Sequence, residues 1–430
     1  MILNCHLVYR ALRLCCCVAC RLVGIAALLL ITKAPAYAVE SAPADQVARG
    51  EYLTRAANCI SCHTRDNGEP FAGGVAFETS FGTLYSTNIT PDDEHGIGAW
   101  RDEDFLRAMH EGIGREGEHL YPIFPYTDYT QMSRDDVLAI HAYLKTREPI
   151  DYQPPANEMT FPFNHRRLLW FWKMINFDEG RFETAPQWDE TVARGAYLSE
   201  ALGHCGQCHT PRTWSQGLDN DHKFAGATQR GWKAFNITSG PDGIGNWSDD
   251  ELTQYLTTGH VPNKYASAGP MAEVVTDSLR HLRDEDIAAM VAYLRQIPPQ
   301  PSDVPTIAEV RDMQSQRRQD MTSRAETMKQ GEQLFMANCA SCHYPDGSGP
   351  GGAYSNFEAH SVVRDPQGTN LIRVMLEGID RQGRDMHVFM PAYRDLLSDE
   401  QIAALANYIG YHFGGHEADF SAEDVAAQRN

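Results

Sequence analysis

Cys59-Ile60-Ser61-Cys62-His63 decides how this chain is read, because the pattern recurs as Cys205-Gly206-Gln207-Cys208-His209 and as Cys339-Ala340-Ser341-Cys342-His343. Two cysteines three positions apart, with a histidine directly after the second, are the attachment signature of c-type haem. One turn of helix holds both thiols where they add to the two porphyrin vinyl groups. The next residue then brings its imidazole under the iron as the proximal ligand. Other readings explain less. A zinc site made of paired C-x-x-C units leaves each histidine unexplained and a third unit unpaired. Three disulfides, or three thioredoxin-like redox pairs, require no histidine at a fixed offset. The sequence therefore predicts three covalently bound haem c groups on Cys59, Cys62, Cys205, Cys208, Cys339 and Cys342, with iron on His63, His209 and His343.

The 430 residues carry a formal net charge of −20, with 42% hydrophobic and 22% charged residues. That length accommodates several domains with ample core. An acidic chain without a basic patch excludes nucleic acid as a partner, and its charge reads as a soluble, self-repelling surface. Residues 1–38 read as a secretory signal. Arg10, Arg13 and Arg21 accompany the apolar run 22–31, and Ala36-Tyr37-Ala38 offers a small-residue cleavage site. The run is too short for a comfortable transmembrane span. Five of the eleven cysteines lie in that segment, and the other six are those of the three motifs. A mature chain without further thiols suits an oxidising compartment. Haem attachment after export then places it in the bacterial periplasm.

The surroundings of the motif repeat as well. Each copy follows a short helical pattern containing glycine: Arg49-Gly50-Glu51-Tyr52-Leu53, Arg194-Gly195-Ala196-Tyr197-Leu198 and Gln330-Gly331-Glu332-Gln333-Leu334. The glycine is expected to let this helix approach another closely. Each unit also closes on an amphipathic helix, for which Ser133, Asp284 and Ser398 are the expected N-caps. A helix bearing Cys-x-x-Cys-His, with a final helix crossing it around the haem, is the cytochrome c architecture. The predicted fold is thus mainly α, with three tandem cytochrome c-type modules that each hold one covalent haem. The expected boundaries are 1–38 for the signal, 39–148 for module one, 149–188 for an aromatic linker and 189–297 for module two. A polar linker follows at 298–326, then module three at 327–416 and a polar tail at 417–430.

Modules one and two share a further block, Asn88-Ile89-Thr90 leading to Trp100 and Asn236-Ile237-Thr238 leading to Trp247. Its identical placement beside two haem motifs points to a turn next to the cofactor rather than to a glycan acceptor. Trp100 and Trp247 would either donate to a haem propionate or pack in the core. Module three lacks the block, so its haem surroundings should differ. In the first linker, residues 161–177 mix aromatic side chains with Arg166, Arg167 and Lys173. That mixture suits a membrane interface or a partner surface, or else packing between modules one and two. The second linker reads as exposed, partly helical and mobile.

A sixth iron ligand is expected from the chain just before each closing helix. Met390-Pro391 supplies it in module three, with Met386 as the lesser candidate, and Met271 supplies it in module two. In module one Phe124 stands where a methionine would be expected, which leaves Met132. Without Met132 the first haem would be five-coordinate or held by another side chain. Met109 and Met375 lie inside the preceding helices and read as core. Thioether ligation opposite histidine raises reduction potential, so three such haems would form a graded electron wire.

With these residues in view, the chain resembles the triheme cytochrome c subunit of bacterial membrane-associated dehydrogenases, the group of alcohol and gluconate 2-dehydrogenase. The resemblance rests on the three motifs, Tyr121-Pro122 with Phe124-Pro125-Tyr126, Phe161-Pro162-Phe163-Asn164, Gly269-Pro270-Met271-Ala272 and Met390-Pro391-Ala392-Tyr393. It implies a separate catalytic subunit that oxidises an alcohol, sugar, sugar acid or aldehyde. It also implies electron delivery to ubiquinone, and attachment to the periplasmic face of the cytoplasmic membrane. Met132 falls where the family's first-haem methionine is expected. Two alternatives remain: a self-contained haem enzyme with an open haem, for which His110 and His119 are the only hint, and a soluble multihaem shuttle.

Overall fold

Three times in this chain an opening helix meets a closing helix at a glycine. The computed structural model describes residues 43–429 except 242, 262–264, 302–303, 305–307, 311, 313–324, 350–355 and 358–359. The expected signal and much of the second linker lie outside the described residues. In the first module Ala44–Ala56 packs on Arg134–Leu144, in the second Glu190–Ala196 on Asp284–Leu294, and in the third Ala325–Asn338 on Asp399–His412. A Cβ on Gly50 would stand 1.8 Å from the Ala139 carbonyl oxygen, and one on Gly195 1.8 Å from that of Ala289. On Gly331 it would stand 2.4 Å from that of Ala404. Any side chain at these positions would drive the two helices apart, so glycine sets their spacing in all three modules.

Two of the three expected caps are present. Ser133 accepts from the Asp136 amide, and Ser398 forms a full capping box with Gln401. Asp284 departs from expectation, because Arg283 takes the N-cap position without a side-chain bond. Asp284 is the first helical residue, where its charge suits the positive end of the helix dipole.

Modules one and two are joined reciprocally. Arg49 Nε reaches Asp136 Oδ1 at 2.7 Å within module one, as Arg194 Nε reaches Asp286 Oδ1 at 2.7 Å within module two. Each buried aspartate also accepts a hydroxyl from the other module. Tyr197 Oη donates to Asp136 Oδ2 at 2.6 Å, and Tyr52 Oη donates to Asp286 Oδ2 at 2.5 Å. One continuous apolar core runs from Leu53 to Ile297 across both modules, whereas module three has its own core around Phe335, Ile372 and Ile402.

Module three holds on to module two through polar anchors. Its hairpin, Ile379–Gln382 with His387–Met390, sends the fully buried Arg381 into module two, where Nε donates to the Thr258 carbonyl at 3.1 Å. Arg384 Nη2 donates to the Leu282 carbonyl at 2.7 Å, and Lys233 Nζ pairs with Asp365 at 3.0 Å. The expected polar tail is part of this module. The helix Ala422–Arg429 buries Val425, and Arg429 Nε bonds Asp399 at 2.7 Å.

The aromatic linker lies on the surface and divides its side chains between two directions. In the helix Leu169–Asn176, Trp172 Nε1 donates to the Ser215 carbonyl at 2.9 Å, and Lys173 is buried with Nζ on the Gly112 carbonyl at 2.9 Å. Phe161, Trp170, Phe171, Met174 and Ile175 face outward, at 79%, 50%, 58%, 67% and 64% exposure. Packing between modules therefore accounts for Trp172 and Lys173, and among the described residues those five side chains remain largely uncovered. Among the described residues no helix is long and apolar enough to cross a membrane.

The glycine contacts carry a direct test. Gly195→Val should cost about 1–3 kcal/mol through overpacking, read as a lower unfolding midpoint in denaturant. An unchanged midpoint would show that the helix spacing does not depend on this glycine.

Candidate haem-attachment sites

Each motif sits on a single helical turn: Cys59–His63, Gly206–His209 and Ala340–His343. Asn58 (φ 52°) and His204 (φ 37°) take left-handed backbone immediately before the first two turns and swing the chain out of the opening helix. All six cysteines are free thiols, the first of each pair partly buried and the second exposed. Burial pushes Cys59 and Cys205 up to about 12 and Cys339 up to about 11. A redox-active pair needs a depressed thiol, so these are poor candidates for disulfide exchange. Among the described residues, no group of three His, Cys, Asp or Glu side chains gathers as a metal-binding cluster would.

The first two histidines are oriented in the same way. His63 Nδ1 lies 2.7 Å from the Thr87 carbonyl oxygen, and His209 Nδ1 lies 2.7 Å from that of Phe235. A carbonyl only accepts, so Nδ1 carries the proton and Nε2 keeps its lone pair for a metal. The carbonyl is held by the residue that follows it. Asn88 Oδ1 accepts from the Thr90 amide and hydroxyl at 2.9 and 2.7 Å, and Asn236 Oδ1 accepts from those of Thr238 at 2.8 and 2.7 Å. Their side-chain amides donate to the carbonyls of Ile150 and Gln300. Both asparagines are buried. The repeated block thus forms a turn that aims a carbonyl at the histidine. Sequence reading located the turn but not the roles of Thr87 and Phe235, whose side chains take no part. Module three is built differently: the His343 ring lies 4.3 Å from that of Phe357.

The expected sixth ligands occupy three kinds of position. Met132 is fully buried and directly precedes the cap Ser133, in the core against which Cys59 packs. Met271 lies in the first turn of the helix Gly269–Asp277, not in a loop, and packs with Cys205 against the same core. Met390 ends the strand His387–Met390, partly buried. Met109 and Met375 are core residues, as their helical positions suggested. Trp247 is buried against Tyr255 and Tyr265, with ring centroids 5.4 and 4.4 Å away, and Trp100 is partly buried against the core.

These sites fit haem c. Thiol pairs stand one turn apart, in the first two modules beside an imidazole whose Nε2 is reserved, and the charge around them fits as well. His260, His360, Arg364 and Arg381 are all buried at or near the joint between modules two and three. Burial pushes His360 down to about 3, with His260, His343, Arg364 and Arg381 adding to the effect. The guanidinium groups of Arg364 and Arg381, in so dry a place, match a cofactor that brings two carboxylates. When bound, haem c supplies one-electron chemistry with a potential tuned by its axial ligands and burial. The protein's part is to fix the ligand tautomer, exclude water and supply the surrounding charge.

The fold and these sites define a c-type cytochrome of three tandem modules. The cytochrome c family model matches residues 47–148, 192–298 and 328–412, and the chain belongs to that family. It is 38% identical over 426 residues to the fructose dehydrogenase cytochrome subunit of Gluconobacter japonicus, covering 94% of this chain and 87% of that one. The gluconate 2-dehydrogenase cytochrome c subunit of Pantoea cypripedii is 36% identical, with 89% of each chain covered. The cytochrome c subunit of alcohol dehydrogenase (quinone) from Gluconobacter oxydans is 32% identical, with 89% of this chain and 82% of that one covered.

The intact mass of the purified protein should exceed that of its polypeptide by three haem groups. Replacing both Cys339 and Cys342 by alanine should remove one of them. A protein with fewer additions, or one containing zinc, would contradict the threefold assignment.

Proposed function

We propose that this chain is the triheme electron-transfer subunit of a membrane-associated dehydrogenase on the periplasmic face of the cytoplasmic membrane. A separate catalytic subunit oxidises an alcohol, sugar, sugar acid or aldehyde, and the electrons pass through this chain to ubiquinone. Haems bound through Cys59/Cys62, Cys205/Cys208 and Cys339/Cys342 take His63, His209 and His343 as proximal ligands and Met132, Met271 and Met390 as distal ones. The observation that carries the reading is the reciprocal packing of modules one and two, which brings two attachment turns together in one core. Ser61 in the first motif bonds Asp277 of module two at 2.7 Å, and the Cys208 thiol is among the groups acting on Cys62. Adjacent redox centres in one shared core are what a wire requires. The names of these relatives, all cytochrome subunits of dehydrogenases, support the same reading.

A self-contained enzyme with an open haem has less support. His110 is buried, and burial followed by Arg181 pushes its imidazole down to about 4. A group so rarely protonated at neutral pH makes a poor distal acid.

Met271→Ala and Met390→Ala should each lower the midpoint potential of one haem, within the range of about 0.8 V that axial ligation spans. Unchanged potentials in a redox titration of both variants would refute these ligands.

The outward strip on the aromatic linker is the proposed membrane contact, with its rings in the headgroup boundary. Replacing Trp170, Phe171, Met174 and Ile175 together by serine removes side chains that the described residues leave exposed. The variant should keep its haem spectra yet wash off membranes. Retention on membranes, or loss of the fold, would sink this assignment.

A further inference from the structure

A cleft near the first attachment turn lies behind the peptide group that orients its histidine. It has a volume of about 450 Å³, and Tyr85, Thr87, Tyr121, Asn157, Asn164 and Arg166 are among its lining residues. That volume falls within the range of about 300–1,000 Å³ typical of small-molecule sites. Its walls combine two kinds of surface. Tyr85, Tyr121 and Met159 offer flat or apolar contact, and the Arg166 guanidinium sits 4.5 Å over the Tyr121 ring. Donors surround them. Asn157 uses Oδ1 to accept from the Tyr85 amide at 2.9 Å, which keeps its amino group for another acceptor. Arg166 spends Nη1 on the His119 carbonyl at 3.1 Å and has further N–H groups.

Two placements say what such a cleft would hold. Asn164 and Arg166 belong to the stretch that carries the exposed Phe161, Phe163 and Leu168 and runs on into the outward strip. A ligand whose polar head lay in the cleft would find apolar surface directly beside it for a tail. Thr87 lines the cleft, and its carbonyl oxygen accepts from His63 Nδ1. One peptide group and one hydrogen bond therefore separate the cleft from a proximal-ligand imidazole.

We propose that this cleft binds the head group of a membrane quinone, its ring against Tyr85 and Tyr121 and its carbonyl oxygens on Asn157, Asn164 and Arg166. The proposal rests on the reading of the chain as a quinone-reducing subunit and gives that reading a place. Conversion to the quinol takes two electrons, released by the dehydrogenase's donor substrate. It also takes two protons, one for each carbonyl oxygen. These come from solvent, and His95, which lines the cleft 3.6 Å from Asp151, can relay them.

The test uses the dehydrogenase complex purified in detergent and a photoreactive azido analogue of a short-tailed ubiquinone. Label should map by mass spectrometry to peptides containing residues 85–95 or 154–166, and excess unlabelled short-tailed quinone should suppress it. Asn164→Leu and Arg166→Leu should each weaken binding of the analogue about tenfold, the equivalent of about 1.4 kcal/mol. The optical spectrum and haem content of each variant report an intact fold. Asn164 is exposed, so its variant remains informative if the Arg166 variant misfolds. Label elsewhere in a complex that reduces quinone would overturn the cleft and leave the function standing. A complex that neither binds nor reduces quinone would overturn both. Label displaced by glycerophosphate but not by quinone would make this an anion or lipid-headgroup site and overturn the proposal.

Discussion

Two buried carboxylates, Asp136 and Asp286, hold modules one and two together. Burial alone would raise the Asp286 carboxyl, but hydrogen bonds from Arg194, Tyr52 and Arg283 outweigh it and hold the group well below the usual carboxylate range. A buried ion of this kind is strongly destabilising if one partner is removed, by about 3–5 kcal/mol. Here the partners come from three places: the opening helix, the closing helix and the other module. The contact that locks helix to helix at the glycines therefore also locks module to module. That coupling places the first two attachment turns in one core, and it explains why modules one and two share a core that module three does not join.

Repetition made much of the fold legible in the sequence. The motifs, the glycines and the closing helices all stand out because they recur in the same order in every module. The joining of modules one and two was written in the same repeats but visible only by difference. Arg49, Tyr52 and Asp136 recur as Arg194, Tyr197 and Asp286, while the third copy has Gln330, Gln333 and Gln401. Three charged or phenolic positions lost together mark the module that does not pair. Other features gave no pattern to follow. Arg381 reads as an ordinary polar residue, because the module it enters is more than a hundred positions earlier in the chain. Asp284 sits in a run of acids after Arg283, and composition cannot say which residue of such a run occupies the cap.

Module three shows the cost of joining by polar anchors. Arg381, Lys233 and Arg384 enter or leave it at single points, and the joint is rich in buried basic groups rather than in shared apolar core. Buried guanidinium is expensive unless it is met by acceptors. Arg381 meets backbone carbonyls of module two. Such a joint is specific about geometry because its anchors reach their partners in one arrangement only. A shared apolar core tolerates small slips far better. For a redox wire, geometry at the joint matters as much as stability, since the distance between centres governs transfer.

Asn88 draws the first module's features into one mechanical unit. Its Oδ1 holds the turn that presents the Thr87 carbonyl to His63, and its Nδ2 donates to the carbonyls of Ile150 at 2.8 Å and Tyr152 at 3.1 Å. The chain leaves those two residues to become the wall of the cleft and then the outward strip. One buried amide thus fixes both the tautomer of His63 and the start of the linker. Asn236 does the first of these jobs for His209 and ties down Gln300 in the same way. Beyond Gln300 the sequence carries no comparable aromatic strip. The repeated asparagine is accordingly a histidine-orienting device in both modules, and the sequence after it decides what else each module does.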